Sequence, residues 1–375
     1  MGRILVICFA GLAIFSPQFV FGQTRPAWQQ EWERTVAAAK KEGQVTIYTQ
    51  GSKKFLFDRF QGAYPEIRLI SAFGATGAEL SSRIMAERRA AKYLADVYYV
   101  GAETHVTVLF PARALDPLVP AMILPEVRDE SRWFQGKRHF ADPEGQYSLI
   151  FEGSVSGGIA YNTNLVKPNE INSYWDLLQP KWKEKVIAFD PRGSGHATTA
   201  FWFLYSHPSL GPDFIRRLFL GAGLILSRDF RQPVDWLSRG KYLLCYACQG
   251  VEEGEKQGLP VQSLTHSLKE GTHLAPRGSV VALMNRAPHP NAAKLFVNWL
   301  LSKEGQVAFQ KMNALDGTGA DSLRVDIPKD DVPPQYRRRE GAQYFIQDVT
   351  ERITSLPKMR RFIDEILAER ERRKN

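Results

Sequence analysis

Trp28, Trp32, Val36 and Ala39 recur at helical spacing through "WQQEWERTVAAAKKEG", and Gly43 stops that helix. The pattern then changes to a short apolar run, "QVTIYT", which reads as a strand ending at Tyr48-Thr49-Gln50-Gly51. A second helix from Lys53 to Gln61, carrying Phe57 and Phe60, leads through Tyr64-Pro65 into the strand "IRLISAF" and the loop Gly74-Ala75-Thr76-Gly77. A third helix, Ala78 to Ala91, carries Leu80, Ile84 and Glu87, and is followed by the strand "ADVYYV", which stops at Gly101. Strand, small-residue loop and helix, repeated in this way, predict an α/β protein with an open, mostly parallel sheet flanked by helices. Ligands of such sheets bind beyond the carboxyl ends of the strands, where helix N-terminal amides point outward.

The second half repeats the pattern. "GGIAYNT" reads as a strand, "SYWDLLQPKWKEK" as a short helix with a turn at Gln179-Pro180, and "VIAFDP" as a strand running into Arg192-Gly193-Ser194-Gly195-His196 and the helix "ATTAFWFLYS". A helix from Asp213 to Gly221 follows, then the strand "YLLCYAC", Gln249-Gly250 and an acidic helix, Val251 to Gln257. "GSVVALMNRAPHPNAAKLFVNWLLSKEGQVAFQK" reads as strand, turn and helix; Asn291, Lys294, Asn298 and Ser302 form one thin polar stripe on that helix. Residues 315–335 are rich in Asp, Gly and Pro and read as a loop. Two amphipathic helices are expected near Tyr344–Ile353 and Lys358–Arg370.

The leader changes the picture. "MGRILVICFAGLAIFSPQFVFGQ" has one early cation, an apolar stretch and small residues before Gln23, the pattern of a signal peptide cleaved after Gly22. Its apolar stretch is interrupted by Ser16-Pro17 and falls short of the roughly 20 residues that a span needs. Of 375 residues, 22 would be removed and 353 remain, more than one core of about 250–300 residues accommodates, so two domains are expected. The net charge is +9, or +8 without Arg3, and the basic residues are dispersed without an aromatic-basic motif. That favours a solvated surface over nucleic-acid binding.

The segments "AAAKKEGQVTIYT", "AYPEIRL", "GAELSSRIMAE", "ADVYYVG", "GIAYNTNLV", "SYWDLLQPKWKEKVIAFDPRGSG" and "APRGSVVALMNRAPHPNAAKLFVNWLLSKEGQ", in this order and behind an export signal, resemble the type II periplasmic solute-binding proteins of ABC importers. The resemblance is to the family that includes ferric-iron binders. It implies two α/β lobes with the ligand cleft between them. Lobe one would comprise residues 23–110 and 273–315 and lobe two residues 111–272, with 316–375 packing mainly on lobe two. It also implies a periplasmic monomer that captures a small anionic or polar organic ligand and delivers it to an inner-membrane permease, with no cofactor and no nucleic acid. Ferric-iron members hold the metal with adjacent tyrosines shortly after the strand corresponding to "KYLLCYA"; here those positions are Gly250 and Val251. Tyr98-Tyr99, the one adjacent tyrosine pair, lies inside a strand, where neighbours face opposite sides.

The strand-end loops supply the expected ligand contacts: Tyr48, Thr49, Gln50, Gly74, Ala75, Thr76, Gly77, Gly101, Glu103, Arg192, Ser194, His196, Tyr246, Gln249 and Arg277. Arg192 to Gly195 combines a guanidinium, a hydroxyl and amides, donors suited to a carboxylate or phosphate; the alternative is a tight turn with Ser194 as helix cap. Cys245 and Cys248 are read as two packed thiols or a local disulfide, the latter requiring a turn between them. A redox or zinc site lacks the usual helix start or second ligand pair. Three other functions remain open: an iron protein with a non-standard site, an enzyme using a cysteine nucleophile with His196 as base, and a sensor-partner protein that presents its ligand to a receptor and shares every sequence feature with the transporter. There is no G-x-S-x-G or H-E-x-x-H motif.

Overall fold

The computed structural model describes Gly2 and residues 25–374 except Ser194 and Phe230; the expected leader lies, Gly2 apart, outside the described residues. Three sheets organise the chain. The first contains β1 (Gln44–Gln50), β2 (Arg68–Gly74), β3 (Val97–Val100), β4 (Leu115–Asp116), β5 (His139–Phe140), β6 (Leu149–Ile150) and β14 (Val280–Met284). Its order is β2-β1-β3-β14-β6-β5, with β4 also pairing β14. The second is ordered β10-β9-β11-β8-β12, from β8 (Ile159–Asn162), β9 (Val186–Phe189), β10 (Ile225–Ser227), β11 (Leu244–Tyr246) and β12 (Val261–Leu264). A small third sheet joins β7 (Ser154–Ser156), β13 (Thr272–Ala275) and β15 (Tyr344–Ile346) in the order β15-β13-β7.

The predicted strand–helix units are parallel in β2-β1-β3 and in β10-β9-β11. The sheets are mixed beyond them, because β14 re-enters the first sheet antiparallel to β3 and β8 lies antiparallel to β11. The first sheet is covered on both faces. Val45, Ile47, Val97 and Tyr99 enter one apolar cluster with Phe57, Phe60, Phe296 and Trp299, whereas Tyr48, Tyr98 and Val100 enter another with Leu80 and Ile84. This is the period of two expected of a strand buried on both sides. The second sheet, through Val186, Ala188, Leu244 and Tyr246, packs against Phe201, Phe214, Phe219 and Tyr174.

Local chemistry fixes the helices around these sheets. Thr76 Oγ1 accepts from the Glu79 amide at 3.1 Å and Glu79 accepts from the Ala75 amide at 2.8 Å, reciprocal caps that start helix Gly77–Arg89. Glu42 closes the first turn of helix Pro290–Leu301, accepting from the amides of Asn291 and Ala292.

Four expectations change. The stretch "SYWDLLQPKWKEK" forms two short 3-10 turns, Tyr174–Leu178 and Pro180–Trp182, in place of a short α-helix, and the chain breaks at Gln179-Pro180 as expected, with Gln179 in extended backbone. The first expected C-terminal helix begins instead as strand β15, and one helix, Val349–Lys374, continues through Pro357. The polar stripe on Pro290–Leu301 is not solvated at Asn298, which is fully buried: its Oδ1 accepts from the amides of Ile123 and Leu124, and its Nδ2 donates to the carbonyls of Ala121 and Lys294. The expected lobe boundaries also shift. Leu118, Met122, Val127, Trp133 and Leu149–Phe151 belong to the first core, since β4 and β6 find their partners on β14. Ala320 and Leu323 join the same core, while Met359, Ile363 and Ile366 of the last helix join the second. Residues 316–375 are thereby divided between the lobes.

Asn298 holds residues 121–124 against its helix, so Asn298→Ala strands two buried amides and a carbonyl. We expect it to cost about 2–4 kcal/mol in urea unfolding; an unchanged midpoint would contradict the described bonding.

Burial lowers the pKa of His105 and His273 to about 3, and of His196 and His266 to about 4. Their neutral forms are stabilised by the fold, so stability present above pH ~6.5 is lost as the unfolded chain takes up protons on acidification towards pH ~4. Asp96 and Glu152, whose carboxyls burial raises, act in the opposite sense. The melting temperature of His273→Asn should therefore fall less steeply than the parent's over this range; equal slopes would contradict a neutral, buried His273.

Candidate functional site

Two adjoining cavities of about 330 and 310 Å³ lie where the three sheets meet, and both are lined by Ser156, His196, Gln249 and Arg277. Gly157 and Gly158 turn the chain from β7 into β8 with φ of +84° and +112°, a conformation that side chains rarely adopt. A Cβ at Gly158 would also approach the Leu264 carbonyl to 3.1 Å. That turn forms the floor of the first cavity. The second cavity is closed by Ala102, just after β3, by Thr199, and by Gln347, Val349 and Arg352 at the start of the last helix.

Arg277 stands between the cavities on the return segment from β13 to β14, with φ of +41°. Its Nε is 3.4 Å from Glu152, its Nη1 donates to the carbonyls of Thr318 and Gly319, and its guanidinium lies 4.5 Å over the Tyr336 ring. Glu152 is buried and accepts from Ser154 Oγ at 2.5 Å and Ser279 Oγ at 2.6 Å. Burial pushes its carboxyl up, while Arg277 and both hydroxyls favour the charged form. Most of the charge on Arg277 is thus answered from behind. His196 opens helix His196–Ser206, and its Nδ1 is 3.2 Å from Ser156 Oγ. Burial and the charge of Arg277 keep the ring neutral at pH 7, so it serves as a hydrogen-bonding group without charge.

Two charges in the cavities have no ion-pair partner among the described residues. Arg352 lines the second, with its Nε buried and unbonded; burial lowers its pKa, and Glu103 acts on it only as a more distant charge. Glu252 lines the first, its carboxyl raised mainly by burial and bonded only to its own backbone amide.

Of the residues expected from sequence, His196, Gln249 and Arg277 come together here. Gly101 packs beside Arg277, a Cβ at that position lying 3.1 Å from its carbonyl, and exposed Glu103 sits near Arg352. Three are corrected to core or near-core positions. Tyr48 is buried and donates to Glu87 at 2.7 Å, Thr49 is fully buried, and Tyr246 is fully buried with its hydroxyl on the Ala200 carbonyl at 2.7 Å. The last residues of a two-sided strand point into its cores and not off its end. Gln50 ends β1 half-buried, while Gly74, Ala75, Thr76 and Gly77 build a helix start that lines neither cavity. Arg192 is engaged by Asp190 at 2.5 Å and also reaches Asp364, which favours the turn over the ligand-binding alternative. Ser194 lies outside the described residues. Ser156, Glu252 and Arg352 were missed. Arg352 had one signal: it falls on the stripe Val349, Leu356, Met359, Ile363 and Ile366, where a cation has no structural use.

Cys245 and Cys248 form a disulfide with a Cα separation of 6.0 Å. Ala247, at φ +56°, supplies the turn that shortens the segment to that reach. Cys248 lines the first cavity, and the bond fixes the loop that carries Gln249. Tyr98 and Tyr99 do not converge: Tyr98 donates to the Gly77 carbonyl and Tyr99 is buried in the opposite core. No group of three or more His, Cys, Asp or Glu is positioned for a metal among the described residues. A larger groove of about 730 Å³, lined by His139, Asp142, Gln347 and Glu351 among others, lies along edge strand β5 and shares Gln347 with the second cavity.

Comparison with known proteins gives this geometry its context. An uncharacterised protein of Haemophilus influenzae is 30% identical over 183 residues, 45% of this chain and 49% of that protein, so the chain spans about half the length of this relative. FutA (IdiA) of Trichodesmium, solved with iron and citrate ligands, is similar at TM-score 0.62 and 18% identity, over 86% of this chain and 99% of that one. Ferric iron-binding protein A of Mannheimia haemolytica, in an open conformation, is similar at TM-score 0.63 and 16% identity, over 86% and 98%. The periplasmic binding protein AfuA of Actinobacillus pleuropneumoniae, bound to fructose-6-phosphate, is similar at TM-score 0.50 and 20% identity, over 88% and 99%. At these identities the likeness is one of two-lobed fold. Residues 49–307, more than half of the chain, match the model of the bacterial extracellular solute-binding proteins, and the chain belongs to that family.

Proposed function

We propose that this protein is the exported solute-binding component of an ABC importer, which holds a small organic ligand with an anionic group between its lobes and passes it unaltered to an inner-membrane permease. The observation that carries the ligand class is Arg352: a partly buried guanidinium with no ion pair among the described residues and its Nε unbonded, lining the same cavity as Arg277. An unpaired charge in such a place is costly, and a carboxylate or phosphate would relieve it through charge-assisted hydrogen bonds. Family membership supports the transport role. The leader over 1–22 supports a periplasmic location, and no helix among the described residues is long and apolar enough to cross a membrane.

Capture needs no covalent chemistry. A ligand that touches Ala102 on one side and His196, Thr199 and Gln249 on the other favours the arrangement in which both sets converge. Its differential affinity sets the open–closed balance. The protein acts as a monomer without cofactor or nucleic acid in this reading. The iron and citrate seen with FutA belong to that protein. Here a ferric ion would meet two guanidinium groups, and the tyrosine pair that would supply phenolates is split between two cores. The disulfide removes the thiolate on which an enzymatic reading depends.

The test is a thermal-shift screen against small carboxylates and phosphates, with native mass spectrometry for co-purified ligand. Binding should be stoichiometric and the bound mass should remain unchanged over hours; conversion into a product would overturn the transport reading. Arg352→Gln should weaken a bound anion by about 10- to 100-fold in calorimetry, the loss of one charge-assisted contact. Arg239→Gln, which removes a cation paired with Asp235 on an exposed helix end, should leave affinity unchanged. Equal affinity of Arg352→Gln and parent would contradict the anionic assignment.

A further inference from the structure

We infer that the ligand is a zwitterion, with a cationic amine at the Glu252 end of the cleft and its carboxylate or phosphate at the Arg352 end. The inference rests on the two cavities being the ligand site, and deepens that reading. The cavities share four residues, so they are two ends of one cleft divided by Arg277. The divider is already neutralised, by Glu152 at 3.4 Å and by the Thr318 and Gly319 carbonyls. Ser156, His196 and Gln249, the other shared groups, are uncharged and suit the polar middle of a ligand.

That leaves one uncompensated charge at each end, of opposite sign. At the first, Glu252 has no ion-pair or side-chain hydrogen-bond partner among the described residues; Glu255 and Lys256 of its own helix act on it with opposite signs, and Arg277 acts only as a distant charge. The same cavity is lined by Ser263, Thr265, Gln335 and Tyr336, which offer neutral polar atoms. An ammonium is matched to such a place, because it donates to a carboxylate and to hydroxyls. Burial raises the Glu252 carboxyl, and a cation placed against it would restore the charged form. At the second end, Arg352 has no ion-pair partner among the described residues, and Glu103 acts on it only as a more distant charge. A simple anion would satisfy one end and leave Glu252 desolvated and unpaired. A simple amine would do the reverse. Only a ligand with both groups relieves both costs.

The test pairs ω-amino carboxylates and ω-aminoalkyl phosphonates, with spacers of a few methylenes, against the same anions lacking the amine, each titrated calorimetrically into the full mature chain. At least one zwitterion should bind about tenfold or more tightly than its amine-free counterpart. In Glu252→Gln that preference should vanish while the amine-free anion binds at least as tightly as to the parent, because the unpaired carboxylate is gone, which also shows that the variant cleft is folded. Amine-free anions that bind the parent as tightly as their zwitterions would overturn this inference and leave the anionic reading standing. A preference that survives Glu252→Gln would overturn it too. If no compound of either kind binds at millimolar concentration, both this inference and the cleft reading fail.

Discussion

The buried carboxylate of Glu152 is the constraint on which the cleft depends. It follows β6 and precedes β7, at the point where the chain leaves the first sheet for the second lobe. It gathers Ser154 on the outgoing segment, Ser279 and Arg277 on the return segment, and Arg277 in turn gathers the loop at Thr318 and Gly319. Three distant stretches of chain are thereby tied to one charged group. Such a pair contributes little net stability against an apolar replacement, because both partners lose hydration, but breaking it leaves a buried charge and costs several kcal/mol. Its value is positional: it holds a guanidinium where the lobes meet and cancels its charge there.

With that cation fixed and neutralised, the character of the cleft is decided by what remains unpaired around it. Most charged groups in the chain are answered locally, as with Arg192 by Asp190, Arg324 by Asp326 and Lys329 by Asp321. Against this background Arg352 and Glu252 stand out as partly buried groups in the cleft with no ion-pair partner among the described residues. The disulfide serves the same end from the opposite wall, fixing the loop between β11 and the helix that carries Glu252.

The first three strand–loop–helix units were legible because their apolar runs change period cleanly and each ends at glycine, as at Gly43, Gly74 and Gly101. The cleft was legible only where a loop directly follows a strand, as at His196 and Gln249. Tyr48 and Tyr246 misled because sequence marks where a strand ends but not which way its last side chains point; in sheets covered on both faces they point into a core. Ser156, Glu252 and Arg352 come from segments brought together only by the crossings, and no local pattern records that meeting. The boundary at 111 failed for a similar reason. Strands of two residues, such as β4 and β6, carry too short a pattern to show which sheet they join.

The helix Val349–Lys374 touches the Ala102–Thr104 turn of the first lobe and the helices His196–Ser206 and Gly211–Leu220 of the second. Met359, Ile363 and Ile366 anchor it in the second core, Trp202 Nε1 donates to Ser355 Oγ, and Arg370 reaches the Leu224 carbonyl. Its body therefore rides with one half of the molecule while its first turn bears on the other, like the tongue of a latch. Any rotation between the halves must slide or tilt that turn. The cleft wall at Val349 and Arg352 and the contact between the halves are in this way one piece of helix, so a change late in the chain reaches the cleft without disturbing either sheet.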